Sequence, residues 1–67
     1  MATFYIIFPR GDRSKIKVKE IPTFEDVNDY SLASQKYFYE ESEAIEYAKQ
    51  LAKDNNIQFI SSSGYLD

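Results

Sequence analysis

The feature that most constrains the fold of this chain is a helical spacing of apolar residues between positions 40 and 56. The apolar residues recur one, four, seven and eight positions apart: Ala44, Ile45, Ala48, Leu51 and Ala52. The opposite face of the same helix would carry charged or polar residues: Glu43, Glu46, Lys49, Gln50 and Lys53. This pattern predicts an amphipathic helix laid on an apolar surface, which the small alanines allow it to approach closely.

Both ends of this helix have recognisable signals. Ser42 is a favoured N-cap type, and Glu40 is the alternative start. Either start puts acidic residues in the first turn, where the helix dipole favours them. Asn55 and Asn56 tolerate a left-handed backbone, so the helix is expected to end there.

The first part of the chain predicts a β-hairpin. Thr3–Phe8 is rich in aromatic and β-branched residues and is followed by Pro9 and Gly11, which favour a turn over residues 9–14. From Lys15 to Ile21, lysines alternate with apolar residues, which is typical of a strand with one buried face.

The rest of the chain predicts two further strands. Residues 24–33 show no sustained period and are expected to form a long loop with Phe24, Val27 and Leu32 packed against the domain, whereas residues 35–39 predict a third strand. Residues 57–61 predict a short fourth strand after the helix. The expected fold is therefore α+β: one domain spanning residues 1–67, with a three-stranded antiparallel sheet, one helix on one face and a short fourth strand.

Composition excludes several classes of function. With no Cys and no His among 67 residues, disulfides, thiolate or imidazole metal sites and Cys or His catalysis are ruled out. No phosphate-binding glycine loop or nucleophile elbow is present, and so small a domain has little room for a cleft that would shift the pKa of paired acids such as Glu40 and Glu43. We expect no enzyme activity, no cofactor and no metal. The longest apolar run, residues 4–8, predicts neither a signal peptide nor a membrane span, so a cytoplasmic protein is expected.

Charge divides the chain into two parts. Residues 1–19 carry +4, from five basic residues against Asp12, and residues 20–67 carry −7. The basic hairpin, residues 10–19, holds Arg10, Arg13, Lys15, Lys17 and Lys19. Lysines interleaved with aromatic residues are also found in single-strand nucleic-acid binders, so a nucleic-acid-binding module is one alternative function.

Strand alternation predicts a candidate binding face. The residues expected to face the helix are Phe4, Ile6, Phe8, Ile16, Val18 and Phe38. The opposite face, expected to be uncovered, would carry Tyr5, Ile7, Lys15, Lys17, Lys19, Tyr37 and Tyr39. Tyrosine is enriched in protein interfaces, so we expect a protein partner to bind Tyr5, Lys15, Lys17, Lys19, Tyr37 and Tyr39. A solvated face that resists aggregation is the alternative, and a homodimer through this face or through a sheet edge is the nearest competing arrangement.

An acidic surface is a further alternative. Glu25, Asp26 and Asp29 could dock on a basic partner or form a solvated charge run. Asp26, Asn28 and Asp29 are spaced loosely like calcium ligands, but the glycine and the distal glutamate of an EF-hand loop are missing.

The second half of the chain resembles a known family. The helix from Ser42 to Lys53, the strand Ile57-Gln58-Phe59-Ile60, Gly64 and the first strand with Pro9 are similar to the small bacterial family catalogued as domain of unknown function 2188. The resemblance implies a fold and no activity. Together with size and composition, it favours a non-catalytic protein-binding domain of bacterial or phage origin, such as an inhibitor or a regulatory adaptor.

Overall fold

The computed structural model describes residues 3–22 and 27–60. The described chain contains, in order, β1 (Thr3–Phe8), β2 (Lys15–Ile21), β3 (Ser31–Phe38), the helix α1 (Glu41–Asn55) and β4 (Gln58–Ile60). The helix and four strands agree with the sequence prediction of a small α+β fold. The bounds of β1 and β2 are as predicted, and α1 and β4 agree to within one residue at each end.

The strands form one mixed sheet in the order β3-β1-β2-β4. β1 pairs with β2 and β3 in antiparallel fashion, whereas β4 runs parallel to β2. A parallel partner needs a crossover connection, and α1 provides it between β3 at one edge and β4 at the other. The helix therefore passes from one edge of the sheet to the other.

The turn between β1 and β2 is held by its own polar groups. Arg10 and Gly11 both have a left-handed backbone, with φ of 55° and 75°. The carboxylate of Asp12 accepts hydrogen bonds from the Ser14 hydroxyl at 2.6 Å and from the Ser14 backbone N–H at 3.0 Å. These bonds lower the pKa of Asp12, so its charged form stabilises the turn.

Helix α1 begins after Glu40, the alternative start, and not after Ser42, and it ends where the sequence predicted. Glu40 is the N-cap residue, with an extended backbone and no side-chain capping hydrogen bond. At the other end Asn56 is left-handed, with φ of 57°, and the Ile57 N–H donates to the Ala52 carbonyl at 2.8 Å. This is the Schellman arrangement, which satisfies carbonyls that the end of a helix would otherwise leave unpaired.

The main core lies between α1 and the sheet. Ile6, Ile16, Ala48 and Ala52 are buried there, and Phe8, Val18, Phe38 and Leu51 pack around them. Phe4 is half-buried, opposite Phe38 in the register. The alanine stripe Ala44, Ala48 and Ala52 is 0 to 4% exposed, as its spacing predicted. Small side chains at every fourth position let the helix lie close to the strands.

Strand β3 is longer and less regular than the sequence predicted. It begins at Ser31, so the prediction of a loop through residue 33 is wrong for its last three residues. Tyr37 pairs with Tyr5 and Leu32 pairs with Ile7, which leaves residues 33–36 opposite Ile6 alone. Four residues of β3 thus lie opposite one residue of β1, an excess of three. Because three is odd, the side chains of β3 that face the helix change from one set of alternate residues to the other across the bulge. Ala33 therefore packs on the same side as Phe38.

The second face of the sheet, opposite α1, carries a smaller core. Tyr5, Ile7 and Ile21 are buried there, and Val27, Tyr30 and Leu32 pack against them. Tyr5 is 3% exposed and Lys17 is 7% exposed. The expectation of an uncovered face is therefore wrong for Tyr5, Ile7 and Lys17. Val27 and Tyr30, which lie between β2 and β3, pack against Tyr5 and Ile7 on this face. Phe24 lies outside the described residues.

Candidate functional site

Three tyrosines form a continuous group at one end of the second face. We define the tyrosine patch as Tyr5, Tyr37 and Tyr39. Tyr5 stacks on Tyr37 with ring centroids 5.5 Å apart, and Tyr37 meets Tyr39 edge to face at 5.7 Å. Tyr37 is 38% exposed and Tyr39 is 57% exposed, and these are the exposed large hydrophobic side chains among the described residues. The buried ring of Tyr5 thus supports Tyr37, which in turn contacts Tyr39.

The position of the tyrosine patch follows from strand register. Tyr5 lies in the middle of β1, opposite Tyr37 on β3 and Lys19 on β2. Tyr39 directly follows the last residue of β3 and lies two positions after Tyr37, so it returns to the same side of the sheet as Tyr37. Because directly opposed side chains on adjacent strands lie close together, the register itself brings the rings into contact.

Two hydroxyl groups of the tyrosine patch, those of Tyr5 and Tyr39, have raised pKa values. Burial raises the pKa of Tyr5, and the neighbouring Tyr37 raises it further. A side-chain hydrogen bond with Tyr37 raises the pKa of Tyr39, and the charge of an ionised Tyr37 would add to this effect. Near neutral pH the exposed ring of Tyr39 therefore has an uncharged polar tip, a combination that suits protein interfaces.

The lysines predicted to share this face lie in different environments. The ammonium of Lys15 is 3.7 Å from the Asp12 carboxylate at the turn. Lys17 is buried in the strand interior between its neighbours Ile7 and Ile60. Lys19 lies beside Tyr5, and its ammonium is 5.9 Å from the centre of the Tyr30 ring. Of the three lysines, Lys19 is the one directly opposite Tyr5 in the register of β1 and β2.

The remaining basic residues of the hairpin lie at its turn. Arg10 and Arg13 are exposed, and the guanidinium of Arg13 lies 5.2 Å from the centre of the Phe8 ring. Phe8 belongs to the helix side of the sheet, whereas Lys19 belongs to the second face. The five basic residues of the hairpin are therefore distributed over the turn and both sides of the sheet.

The structure describes only part of the alternative acidic surface formed by Glu25, Asp26 and Asp29. Glu25 and Asp26 lie outside the described residues. Asp29 is exposed and lines a hollow of about 230 Å³ with Phe8, Arg10, Gly11, Tyr30 and Ser31. This hollow brings an acid of the second half of the chain beside Arg10 of the first half.

Two structural observations bear on other classes of function. Within residues 3–22 and 27–60, no three acidic side chains lie close enough together to hold a metal ion. The calcium spacing includes Asp26, which lies outside these ranges. No helix in the described part of the chain is long and apolar enough to cross a membrane.

Sequence reasoning missed two residues, one on each face of the sheet. Tyr30 was placed in a loop without a role, yet its ring contacts the second core and lies near Lys19. Lys36 lies on the helix side of β3, with its ammonium 5.5 Å from the Phe38 ring centre and 5.1 Å from that of Tyr47. An aromatic residue at the end of a polar loop is a signal that could have identified Tyr30. The position of Lys36 was concealed by the irregular register of β3.

Comparison with known proteins gives no relative for this chain. It matches no family model, no curated protein and no solved structure. The resemblance to the domain of unknown function 2188 family therefore stays a prediction.

Proposed function

We propose that this chain is a small, non-catalytic protein-binding domain that works in the cytoplasm as an inhibitor or regulatory adaptor. Its binding surface is the tyrosine patch with Lys19 at its border. The observation that carries the proposal is the pairing of two exposed tyrosines with a buried tyrosine beneath them. Rigid aromatic rings anchored in this way supply contact area at little cost in conformational entropy, and such residues often dominate binding energy.

Burial narrows the surface available to a partner. Tyr5 supports the patch from within, and Lys17 is too deeply buried to offer its ammonium to another protein without rearrangement. Lys15 lies at the far end of the hairpin, beside Asp12. The residues proposed to touch the partner are therefore Tyr37, Tyr39 and Lys19.

Nucleic-acid binding through the basic hairpin is the weaker proposal. Phosphate recognition benefits from basic side chains that share one surface, and residues 10–19 distribute theirs over several. The net charge of −3 for the whole chain also opposes it. We expect no binding of single-stranded oligonucleotides at physiological salt, measured by fluorescence anisotropy. Tight binding that falls steeply with salt would reverse this ranking.

The tyrosine patch can be tested by crosslinking and then by substitution. A photoreactive phenylalanine derivative at position 39 should crosslink a partner in extracts of the source cell, whereas the same derivative at position 46, on the exposed side of α1, should not. With the partner purified, Tyr37→Ala and Tyr39→Ala should each weaken binding by more than about 1 kcal/mol. Glu46→Ala is the matched control.

One result would assign the binding site to the acidic surface instead of the tyrosine patch. If both tyrosine variants bind as tightly as the parent, while charge reversal at Glu25, Asp26 and Asp29 abolishes binding, the tyrosine patch is not the binding site. Thermal melts of all variants separate a loss of binding from a loss of fold.

A further inference from the structure

The end of β3 has a sequence that is complementary to itself. Residues 36–40 read Lys-Tyr-Phe-Tyr-Glu, with a base and an acid at equal distances from Phe38 and a tyrosine on each side of it. If two such segments run antiparallel about a two-fold axis at Phe38, each Lys36 faces Glu40 of the other copy, and each Tyr37 faces Tyr39. Opposite charges that face each other across two strands stabilise their pairing.

The position of β3 in the sheet makes this segment available. β3 is an edge strand, so one of its sides has no strand beside it in the described sheet. Lys36, Tyr37, Tyr39 and Glu40 are exposed. Glu40 has φ of −113° and ψ of 126°, an extended backbone that can continue the strand without rearrangement.

The irregularity in β3 limits where another strand can pair. Residues 33–36 bulge opposite Ile6, and a bulge bends the edge and interrupts a regular row of hydrogen-bonding groups. Lys36 is the last residue of the bulge, so the regular part of the edge runs from Tyr37 toward Glu40. This part carries both tyrosines and Glu40, and Lys36 directly adjoins it.

We propose that two copies of this chain pair antiparallel through residues 36–40, the end of β3 and the two residues that follow it, joining their two sheets into one. The proposal rests on the proposed function for the role of the tyrosine patch, since the dimer would merge two patches into one surface on the second face. Lys36 and Glu40 would lie on the opposite side of the joined sheet, because alternate residues of a strand face opposite sides.

Charge selects this register over its neighbours. Centring the two-fold axis on Tyr37 would place Lys36 opposite Phe38, and centring it on Tyr39 would place Lys36 opposite Ser42. Both registers lose the Lys36–Glu40 pairs. A segment of five residues per copy makes a small interface, so we expect a weak dimer with a dissociation constant in roughly the micromolar range.

The test uses charge reversal and sedimentation velocity over a series of concentrations. Lys36→Glu alone and Glu40→Lys alone each place like charges face to face in both symmetric pairs, so each variant should dissociate at least about tenfold more readily than the parent. Mixing the two variants creates opposite charges in both pairs of a heterodimer, so the mixture should associate. The double variant, Lys36→Glu with Glu40→Lys, should dimerise like the parent.

Matched controls separate pairing from general charge effects. Lys49→Glu and Glu46→Lys make the same changes in net charge on the exposed side of α1 and should leave the dimer unchanged. Lys36→Glu also removes the ammonium beside Phe38 and Tyr47, but the double variant shares that loss. Glu40 makes no side-chain capping bond, so Glu40→Lys removes none. Thermal melts of each variant check the fold.

Two outcomes would overturn the proposal. One is a parent chain that remains monomeric up to about 1 mM, where even weak pairing would register. The other is a dimer that the single reversals, their mixture and the double variant affect alike. Neither outcome changes the expected crosslinking of a partner at position 39. The dimer proposal and the proposed binding function of the tyrosine patch can therefore fail separately.

Discussion

Ile6 and Ile7 provide a matched test of whether the sheet has a core on both faces. The two residues are neighbours on β1, and both are 0% exposed. Ile6 belongs to the cluster under α1, and Ile7 belongs to the cluster with Tyr5 and Ile21. A sheet covered on one face alone would protect only Ile6.

Replacing each isoleucine by valine removes one methyl-sized group and keeps a β-branched side chain that suits a strand. At a fully buried position this change costs about 0.5 to 1.5 kcal/mol. In a domain of this size, 1 kcal/mol corresponds to a shift of roughly 4 to 8 °C in melting temperature. We expect Ile6→Val and Ile7→Val to lower the melting temperature by similar amounts, measured by circular dichroism.

A second substitution at the same place makes the test sharper. Threonine has nearly the shape of valine, but its hydroxyl costs about 1 to 3 kcal/mol when it is buried without a partner. Ile7→Thr should therefore melt well below Ile7→Val. If Ile7→Val melts like the parent and Ile7→Thr melts like Ile7→Val, the second face is open to water and our account of its core is refuted.

Three further predictions concern the helix and the tyrosines. Leu51→Ala should lower the free energy of unfolding, measured by urea titration, by about 2 kcal/mol. This is the low end for buried leucines because Leu51 is half-buried, and Lys53→Ala on the exposed side should lower it little. Asn56→Ala should lower the free energy of unfolding by about 1 kcal/mol in the same assay, because residue 56 has a left-handed backbone. Asn56→Gly should leave it nearly unchanged, and equal stabilities of the two variants would contradict this account of the helix end. Burial raises the pKa of Tyr5 in the folded chain, so its contribution to stability should be complete below about pH 10 and decrease as the pH rises through the folded pKa. Tyr5→Phe should reduce this alkaline loss in pH-dependent melts, and an unchanged alkaline loss would assign it to other groups.

Regular hydrophobic patterns made much of the fold predictable. The spacing of Ala44, Ala48 and Ala52 identified the buried side of α1, and Asn56 marked its end. The alternation in Lys15–Ile21 located β2. These elements pack by simple periodicity, so local sequence carries the information that specifies them.

The candidate site was less predictable because it depends on contacts between distant residues. Alternation placed Tyr5 and Lys17 on the second face, but it could not reveal that Val27 and Tyr30 cover its middle. The segment that holds those two residues has no sustained period. The start of β3 was missed for a related reason, since Ser31, Ala33 and Ser34 have no strong preference for a strand and the bulge disrupts their alternation.

The parallel pairing of β4 with β2 has a consequence for how the chain folds. The β1–β2 hairpin joins residues that are close in sequence, whereas the register of β4 pairs Phe59 with Ile16. Long-range pairing must close a large loop before its contacts are gained, so it is expected late in folding. During translation, β2 leaves the ribosome long before β4 does, and its edge stays available to other strands until the last residues of the sheet have been synthesised.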